Sequence, residues 1–498
     1  MSLDQDECYR ALQARDPRHD GRFFICVHTT GIFCRPICPA RTPKRENVQF
    51  VETAETALQL GFRACKRCRP EVKAGSAAWD LTGASLRRAL RLIDAGALDV
   101  ESIDAFAGRL GIGARHLRRI IKTNLGVAPN RLALARRAAF ARSLIESGSL
   151  SMTEIALAAG FGSLRRFNDV IRKEFGTNPT ALRTSIEHPL TGNGMNLALR
   201  GKGPIAWPSL HGFYAARAIE GVEHCSPERY ARALRTGSGA TIMTITLQNP
   251  DTIGVSLTRN TVGDLFGLVT RIRRALDLDT DVTAVAKTLQ NDEVLRPIVS
   301  RHFGLRLPGA WDPFELTVRA LLGQQISVKA ARTLAGRLVN RFGEQIGFST
   351  EAPQITHLFP RAQTLAQANA TDLEALGLTK ARARALQGLS KAASDEPELF
   401  SPPRSLDALL TKLTALEGVG PWTAHYIALR AFGEADAFPA ADLGLRKAYG
   451  ALSGTVPTAT ELERIAAKWS PWRGYAAQYL WTHWGTLENK ETHDELAA

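Results

Sequence analysis

The apolar positions of the chain change their spacing several times along its length. Residues 1–75 carry short aromatic runs such as RFFICV among Cys, Arg and Pro, and predict a small mixed domain. Residues 76–187 place Ala, Leu and Arg at helical spacing almost throughout. HPLTGNG, from His188 to Gly194, has the composition of a linker. ATIMTITLQNPDTIGVSLT alternates and predicts two strands around the turn Asn249-Pro250-Asp251. From about residue 280 to 490 the spacing is helical again, broken by Pro and Gly at 308–309, 402–403 and 418–421.

One internal repeat lies in the first helical region. LGIGARHLRRIIKTNLGVAP (110–129) aligns with AGFGSLRRFNDVIRKEFGTNP (159–179), pairing Gly111 with Gly160, Gly126 with Gly176 and Pro129 with Pro179. Each copy reads as a helix, a Gly-containing turn and a basic second helix, the pattern of a helix-turn-helix. A long helix over 130–147 joins them. Phe161, Phe167 and Phe175 are expected in the core rather than on a stacking surface.

A chain of 498 residues predicts three or four domains at about 150 residues each. Hydrophobic content of 44% and charged content of 22% exclude a mainly disordered chain. No stretch approaches the roughly 18–20 apolar residues of a membrane span. The polar start MSLDQDECYR argues against a secretory signal, so a cytoplasmic, nucleoid-associated protein with no membrane partner is expected. The net charge of +14 is uneven. Residues 1–190 hold 30 Lys and Arg against 19 Asp and Glu; the remainder holds 33 against 30. A polyanionic partner is therefore expected first of the N-terminal part.

Six of the seven cysteines lie before residue 70, and only Cys225 lies beyond. The C-terminal half therefore cannot alone supply the ligands of a four-cysteine iron–sulfur cluster. Cys34-x3-Cys38 and Cys65-x2-Cys68 have the two-pair spacing of a four-thiolate zinc site. Arg35, Lys66, Arg67 and Arg69 flank them, and positive charge favours thiolate, the nucleophilic form. A purely structural zinc has the same spacing.

TTGIFCRPICPARTPKRENVQF, followed by GFRACKRCRPE, resembles the N-terminal domain of bacterial adaptive-response regulators of the Ada type. The resemblance implies that Cys34 takes a methyl group from a methylphosphotriester in DNA, with Cys38, Cys65 and Cys68 completing the zinc site. Alkylation would make the site less negative and reduce its repulsion of DNA phosphates. Residues 85–183 resemble the AraC-type DNA-binding domain, which implies that the second helix of each motif enters the major groove. Arg115, His116, Arg118 and Arg119 populate the first; Arg165, Arg166 and Asn168 populate the second. Arg can read guanine or hold phosphate, so Arg115, Arg118, Arg165 and Arg166 are the expected DNA contacts.

LEGVGPWTAHYIALRAFGEADAFPAADLGLRK (416–447) reads as a helix, the hairpin Gly418-Val419-Gly420 and a second helix. The glycines would let backbone amides approach a DNA phosphate. Asp442 follows the turn-like FPAAD and, on spacing alone, is an N-cap. This arrangement looks like the helix-hairpin-helix glycosylases. The segment from about 195 to 487 resembles, more closely still, bacterial DNA-3-methyladenine glycosylase II, through GFYAARAIEGVE, LRLPGAWDPFELTVRALLGQQIS, LGLTKARARAL and WSPWRGYAAQYLW. The resemblance implies a catalytic Asp442, stabilising an oxocarbenium-like sugar or orienting water, and a base pocket of Trp422, Tyr426 and Trp481. Members that also cut the strand place a Lys where Trp422 stands, so a monofunctional enzyme is implied. Two aromatics of the relative are replaced by Leu443 and Thr482, and its wedge Leu by Gln325 or Ile326. The Pro-Cys-His-Arg methyltransferase motif of Ada is absent.

The expected fold is multidomain and predominantly α. It comprises a small zinc-stapled α/β domain over 1–75, an all-α double helix-turn-helix domain over 80–187, a mixed α/β domain over 195–285 and an all-α helix-hairpin-helix glycosylase domain over 286–490. The expected function is excision of alkylated purines such as 3-methyladenine, fused to a methylphosphotriester-sensing transcription regulator. A regulator with a non-catalytic, damage-binding glycosylase-like module is the alternative. One zinc ion, with room for a monovalent cation at the hairpin, is the expected cofactor set. The expected partners are alkylated and promoter double-stranded DNA and RNA polymerase, bound by a monomer.

Overall fold

A computed structural model describes residues 4–15, 23–38, 40–65, 68, 70, 86, 89–90, 92–93, 97–147, 150–183, 195–237, 239–258, 262–347, 352–400 and 406–497. The flanking Lys66, Arg67 and Arg69 and the linker 188–194 lie outside these residues. The chain divides into two compact units, Met1–Ala89 and Leu90–Ala498. No helix among the described residues is long and apolar enough to cross a membrane.

The first unit is built on a four-stranded sheet in the order Val48–Val51, Phe24–Val27, Ile32–Cys34, Arg63–Ala64. Strict alternation along the central strand gives each face its own small core. Phe23, Ile25, Val48 and Phe50 pack with Cys8, Ala11 and Leu12 of the helix Gln5–Ala14, which Asp4 caps. Phe24, Cys26, Phe33 and Val51 pack with Ala57 on the other face. Burying both faces in so short a sheet leaves its cysteine-bearing end to be closed by something other than apolar contact.

The second unit begins with the repeated helices. Ser102 caps Ile103–Arg109 and Ser151 caps Met152–Ala158, the latter through a full capping box with Glu154. The second helices, Ala114–Leu125 and Leu164–Phe175, both end at a left-handed glycine, Gly126 and Gly176. Pro129–Ser147 links the copies, close to the expected span. Phe161 and Phe167 are buried edge to face, 5.6 Å between centroids, so they are core as expected.

A five-stranded antiparallel sheet follows, in the order Met195–Arg200, Thr252–Leu257, Gly239–Asn249, Arg229–Thr236, Glu223–Ser226. The two expected strands lie side by side within it; of the other three, Met195–Arg200 and Arg229–Thr236 are largely buried, whereas Glu223–Ser226 is short and mostly half-buried. Its apolar face continues into the helix-turn-helix region: Phe140 meets Phe266 edge to face at 5.1 Å. Arg136 lies over the same Phe266 ring at 4.2 Å.

The helices from Pro313 onward form the largest core. One departure from the expected all-helical segment is a two-stranded ladder, Glu344–Gln345 with His357–Leu358, which starts where Gly343 ends the helix Val328–Phe342. A buried ion network fixes this helical part to the sheet. Arg232 binds Glu223 at 3.2 Å and Glu315 at 2.9 Å, and Arg319 reaches both carboxylates at 2.5 Å. Glu223, Arg232 and Glu315 are each under 10% exposed.

Candidate functional site

In the first unit, the strand Ile32–Cys34 ends at Cys34, and a turn closed by the Cys38 amide on the Arg35 carbonyl returns Cys38 to it. The Cys65 amide bonds the Phe33 carbonyl at 3.0 Å and brings in the second pair. The four sulfurs lie within 4.8 Å of one another. A tetrahedral zinc with Zn–S of ~2.3 Å separates its sulfurs by about 3.8 Å, so the donor set fits that ion. Crowding points the same way. Hydrogen bonding to Cys38 and Cys68, with burial, holds the Cys34 thiol well above the usual range, and the contact with Cys34 holds Cys38 below it. A cation is what lets all four carry charge. Arg35 is buried; its amide donates to Cys68 Sγ at 3.3 Å and its guanidinium to the Cys68 carbonyl. As a residue Cys34 is partly open to solvent and the other three are buried, while the four-sulfur cluster itself is buried.

The helix-turn-helix copies present their basic side chains outward. Arg115, Arg118 and Arg119 are exposed on Ala114–Leu125, while Leu117, Ile120 and Ile121 are buried behind them. Arg165 and Arg166 are exposed near the capped start of Leu164–Phe175, with Phe167 and Ile171 buried. Asn168 is partly buried. His116 and Arg119 bond each other at 3.0 Å.

Further along the second unit, Asp442 caps the helix Leu443–Ser453: Oδ1 accepts from the Leu445 amide at 2.9 Å. The N-cap role expected from spacing is therefore present, but the carboxylate does more. Trp481 Nε1 donates to Oδ1 at 3.0 Å, and Trp422 Nε1 donates to Oδ2 at 2.9 Å. Trp422 and Tyr426, one turn apart on Pro421–Phe432, stack at 5.5 Å and 8°. Trp481, on Arg473–Ala497, meets Tyr426 edge to face at 6.4 Å. Thus the three expected pocket rings and Asp442 form one contiguous, partly exposed cluster.

The hairpin needs one adjustment. Gly418 has φ +81°, and an added Cβ would stand 2.8 Å from Ala385 Cβ. Its lack of a side chain therefore serves packing inside the protein. Gly420 faces open space and starts Pro421–Phe432 without a side-chain cap, leaving first-turn amides for an anion. Val419 is buried, and its amide is used by the Leu416 carbonyl. Gln324 Nε2 holds the Gly418 carbonyl at 2.7 Å and Thr423 Oγ1 at 3.1 Å. The next residue, Gln325, is exposed with φ +58°, whereas Ile326 packs against the core. Of the two wedge candidates, Gln325 is thus the one that projects.

Compared with known proteins, the chain is 40% identical over 494 residues to a Mycobacterium tuberculosis protein named "Probable bifunctional transcriptional activator/DNA repair enzyme AlkA", covering 98% of each. The chain belongs to this family of bifunctional regulator and repair enzymes. Four domain families match in order: the metal binding domain of Ada at 7–71, a helix-turn-helix domain at 106–185, the AlkA N-terminal domain at 196–312 and the HhH-GPD superfamily of base excision DNA repair proteins at 318–472. The four-cysteine cluster is the zinc site of the first, and DNA is the partner of the helix-turn-helix and HhH-GPD domains. The DNA-3-methyladenine glycosylase 2 of Escherichia coli is 32% identical over 56% of this chain and 94% of its own. The Ada enzyme of the same organism is 40% identical over 32% of this chain, which spans 43% of its length. An Archaeoglobus fulgidus 3-methyladenine DNA-glycosylase structure shares the fold of 58% of the chain and 97% of its own, at TM-score 0.52 and 23% identity.

Within this family member, several further residues surround Asp442, and Gly444, Phe213 and Arg430 had no sequence signal of their own. Gly444 fits closely: a Cβ would lie 3.1 Å from Asp442 Oδ1, tighter than most such contacts, and 3.8 Å from Trp481. Leu443 is 57% exposed beside Asp442. Thr482 bonds back to the Gln478 carbonyl at 2.8 Å and leaves the ring cluster as it stands. Phe213 joins the cluster from a distant helix through Arg430. Leu443 and Thr482 were already marked in the sequence, whereas Phe213 and Arg430 depend on long-range packing.

Proposed function

We propose that the C-terminal part hydrolyses the N-glycosidic bond of alkylated purines such as 3-methyladenine, without cutting the strand, as a glycosylase of the DNA-3-methyladenine glycosylase II type. The observation carrying this reading is the Asp442 carboxylate held by the indoles of Trp422 and Trp481. A flipped purine methylated on a ring nitrogen is cationic and leaves readily, so little acid help is needed. Electron-rich ring faces of Trp422, Tyr426 and Trp481 attract it. As the C–N bond breaks, its electron pair leaves with the base, and Asp442 stabilises the positive sugar or orients the water that adds to it. With Trp422 where a Lys nucleophile would stand, no Schiff base forms. The hairpin amides after Gly420 grip a phosphate, and Gln325 fills the gap left in the stack. A monovalent cation at the hairpin would compete with Gln324 for the Gly418 carbonyl.

For the N-terminal part, the reading is stoichiometric methyl transfer. Zinc bound by four cysteines keeps them as thiolates and electron-rich. Cys34 Sγ attacks the methyl carbon of a methylphosphotriester; the methyl C–O bond breaks, the phosphodiester leaves as an anion, and Cys34 keeps the methyl as a thioether. The partial exposure of Cys34 among buried ligands supports it as the acceptor. Arg115, Arg118, Arg165 and Arg166 then hold promoter DNA, with RNA polymerase as partner and the protein acting as a monomer. The working divisions are 1–75, 80–187, 195–285 and 286–490. Labelled methyl should pass from methylphosphotriester DNA to wild type and not to Cys34→Ala; no transfer to wild type would make the zinc purely structural. Release of methylated base from treated DNA tests the glycosylase, and no release would leave a damage-binding module.

A further inference from the structure

Among the described residues, Arg430 is a buried cation with no carboxylate partner. It lies one turn beyond Tyr426 on Pro421–Phe432 and is 3% exposed. Its guanidinium donates to the Pro308 carbonyl at 3.1 Å and to Gln478 Oε1 at 2.7 Å, both neutral, and its Nε has no partner. Instead of an acid it meets rings: Cζ is 4.8 Å from the centroid of Phe213, 5.2 Å from Trp481 and 5.7 Å from Tyr426. A second guanidinium, Arg217, lies 4.0 Å from the Phe213 ring. Burial pushes Arg430 down to about 10, so it stays charged at neutral pH.

This placement opposes what the pocket rings do alone. A ring polarised by one cation attracts a second one less. Direct repulsion adds to this where water is excluded. We propose that Arg430 is a specificity-determining residue: its charge behind Tyr426 and Trp481 reduces the pocket's preference for cationic bases over neutral ones of similar shape. The inference rests on the reading of these rings as the base pocket.

The test is single-turnover excision from duplexes carrying 7-methylguanine, which is cationic, or hypoxanthine, which is neutral. Wild type, Arg430→Gln and Arg430→Lys are compared. Arg430→Gln removes the charge and keeps a donor; it should raise the cationic-to-neutral rate ratio about tenfold, equivalent to about 1.4 kcal/mol. Arg430→Lys should keep the ratio within about twofold of wild type. An equal loss on both substrates in Arg430→Gln, with the ratio unchanged, would overturn the proposal and leave Arg430 a structural residue. If Arg430→Gln does not fold, Gln478→Glu sets a carboxylate where Gln478 Oε1 now accepts from Arg430 at 2.7 Å and offsets its charge: a rise of about threefold supports the proposal, and an unchanged ratio overturns it. If wild type releases neither base, it is the glycosylase reading that fails.

Discussion

The indole N–H of Trp481 lies 3.0 Å from Oδ1 of Asp442, the oxygen that also accepts the amide of Leu445. Trp422 takes the other oxygen. The carboxylate is thereby fixed by donors from three separate helices, so its orientation is set before DNA arrives.

Removing the donors while keeping the rings separates these roles. Trp422→Phe and Trp481→Phe each delete one hydrogen bond to a charged group, worth about 1.5–3 kcal/mol. Each should slow single-turnover excision by roughly ten- to a hundredfold. Because both act on one carboxylate, the double variant should lose less than the product of the single losses. Losses that simply multiply would mean that the two indoles act independently of Asp442.

Gln325 trades stability for position. A non-glycine residue at φ +58° costs about 1–2 kcal/mol, and glycine there would cost about 0.5–1 kcal/mol in chain entropy. Gln325→Gly should therefore melt no lower than wild type, while its excision from paired DNA falls. Excision of the same lesion placed in a bulge should fall less. Equal losses on both substrates would place Gln325 outside the stack.

The ion network between sheet and helices predicts a stability effect away from the site. Arg232→Met leaves Glu223 and Glu315 buried with Arg319 as their one remaining ion-pair partner in this network. Breaking one member of a buried network costs about 3–5 kcal/mol, which thermal denaturation would register as a clear fall in Tm. A Tm within a degree of wild type would show that the network relaxes without cost.

Metal removal should act locally. The intact chain should carry one zinc, released by a thiol-specific mercurial with four thiols titrated. Stripping it should expose Met1–Ala89 to proteolysis while base excision by the second unit persists. Loss of excision on stripping would tie the two activities to one metal-dependent body.

What could be read in advance follows the range of each interaction. The cysteine pairs and the two helix-turn-helix copies are local patterns, and both are found as expected. Trp422 and Tyr426 share a face because they are one turn apart. Asp442 read alone is an N-cap, which it is; only the resemblance added catalysis, and only packing shows its bond to Trp481, 39 residues away. Phe213, Arg430 and Gly444 were invisible for the same reason. Gly418 was legible as a special glycine, and the structure adds a packing reason, since Ala385 stands where its Cβ would lie. Of the outer strands of the five-stranded sheet, Glu223–Ser226 is only four residues long, too short to show a pattern, and Met195–Arg200 is six.

The central claim is that Asp442 makes the ring cluster a catalyst. Asp442→Asn keeps an oxygen for the Leu445 amide and the Trp481 indole and loses only the acceptor of the Trp422 indole, so the fold and binding to abasic-site DNA should persist. Single-turnover release of 3-methyladenine from methylated DNA, measured beside that binding, decides the matter. The account predicts release by wild type and a loss of at least about a hundredfold in Asp442→Asn with binding intact. Equal rates in the two proteins would contradict it.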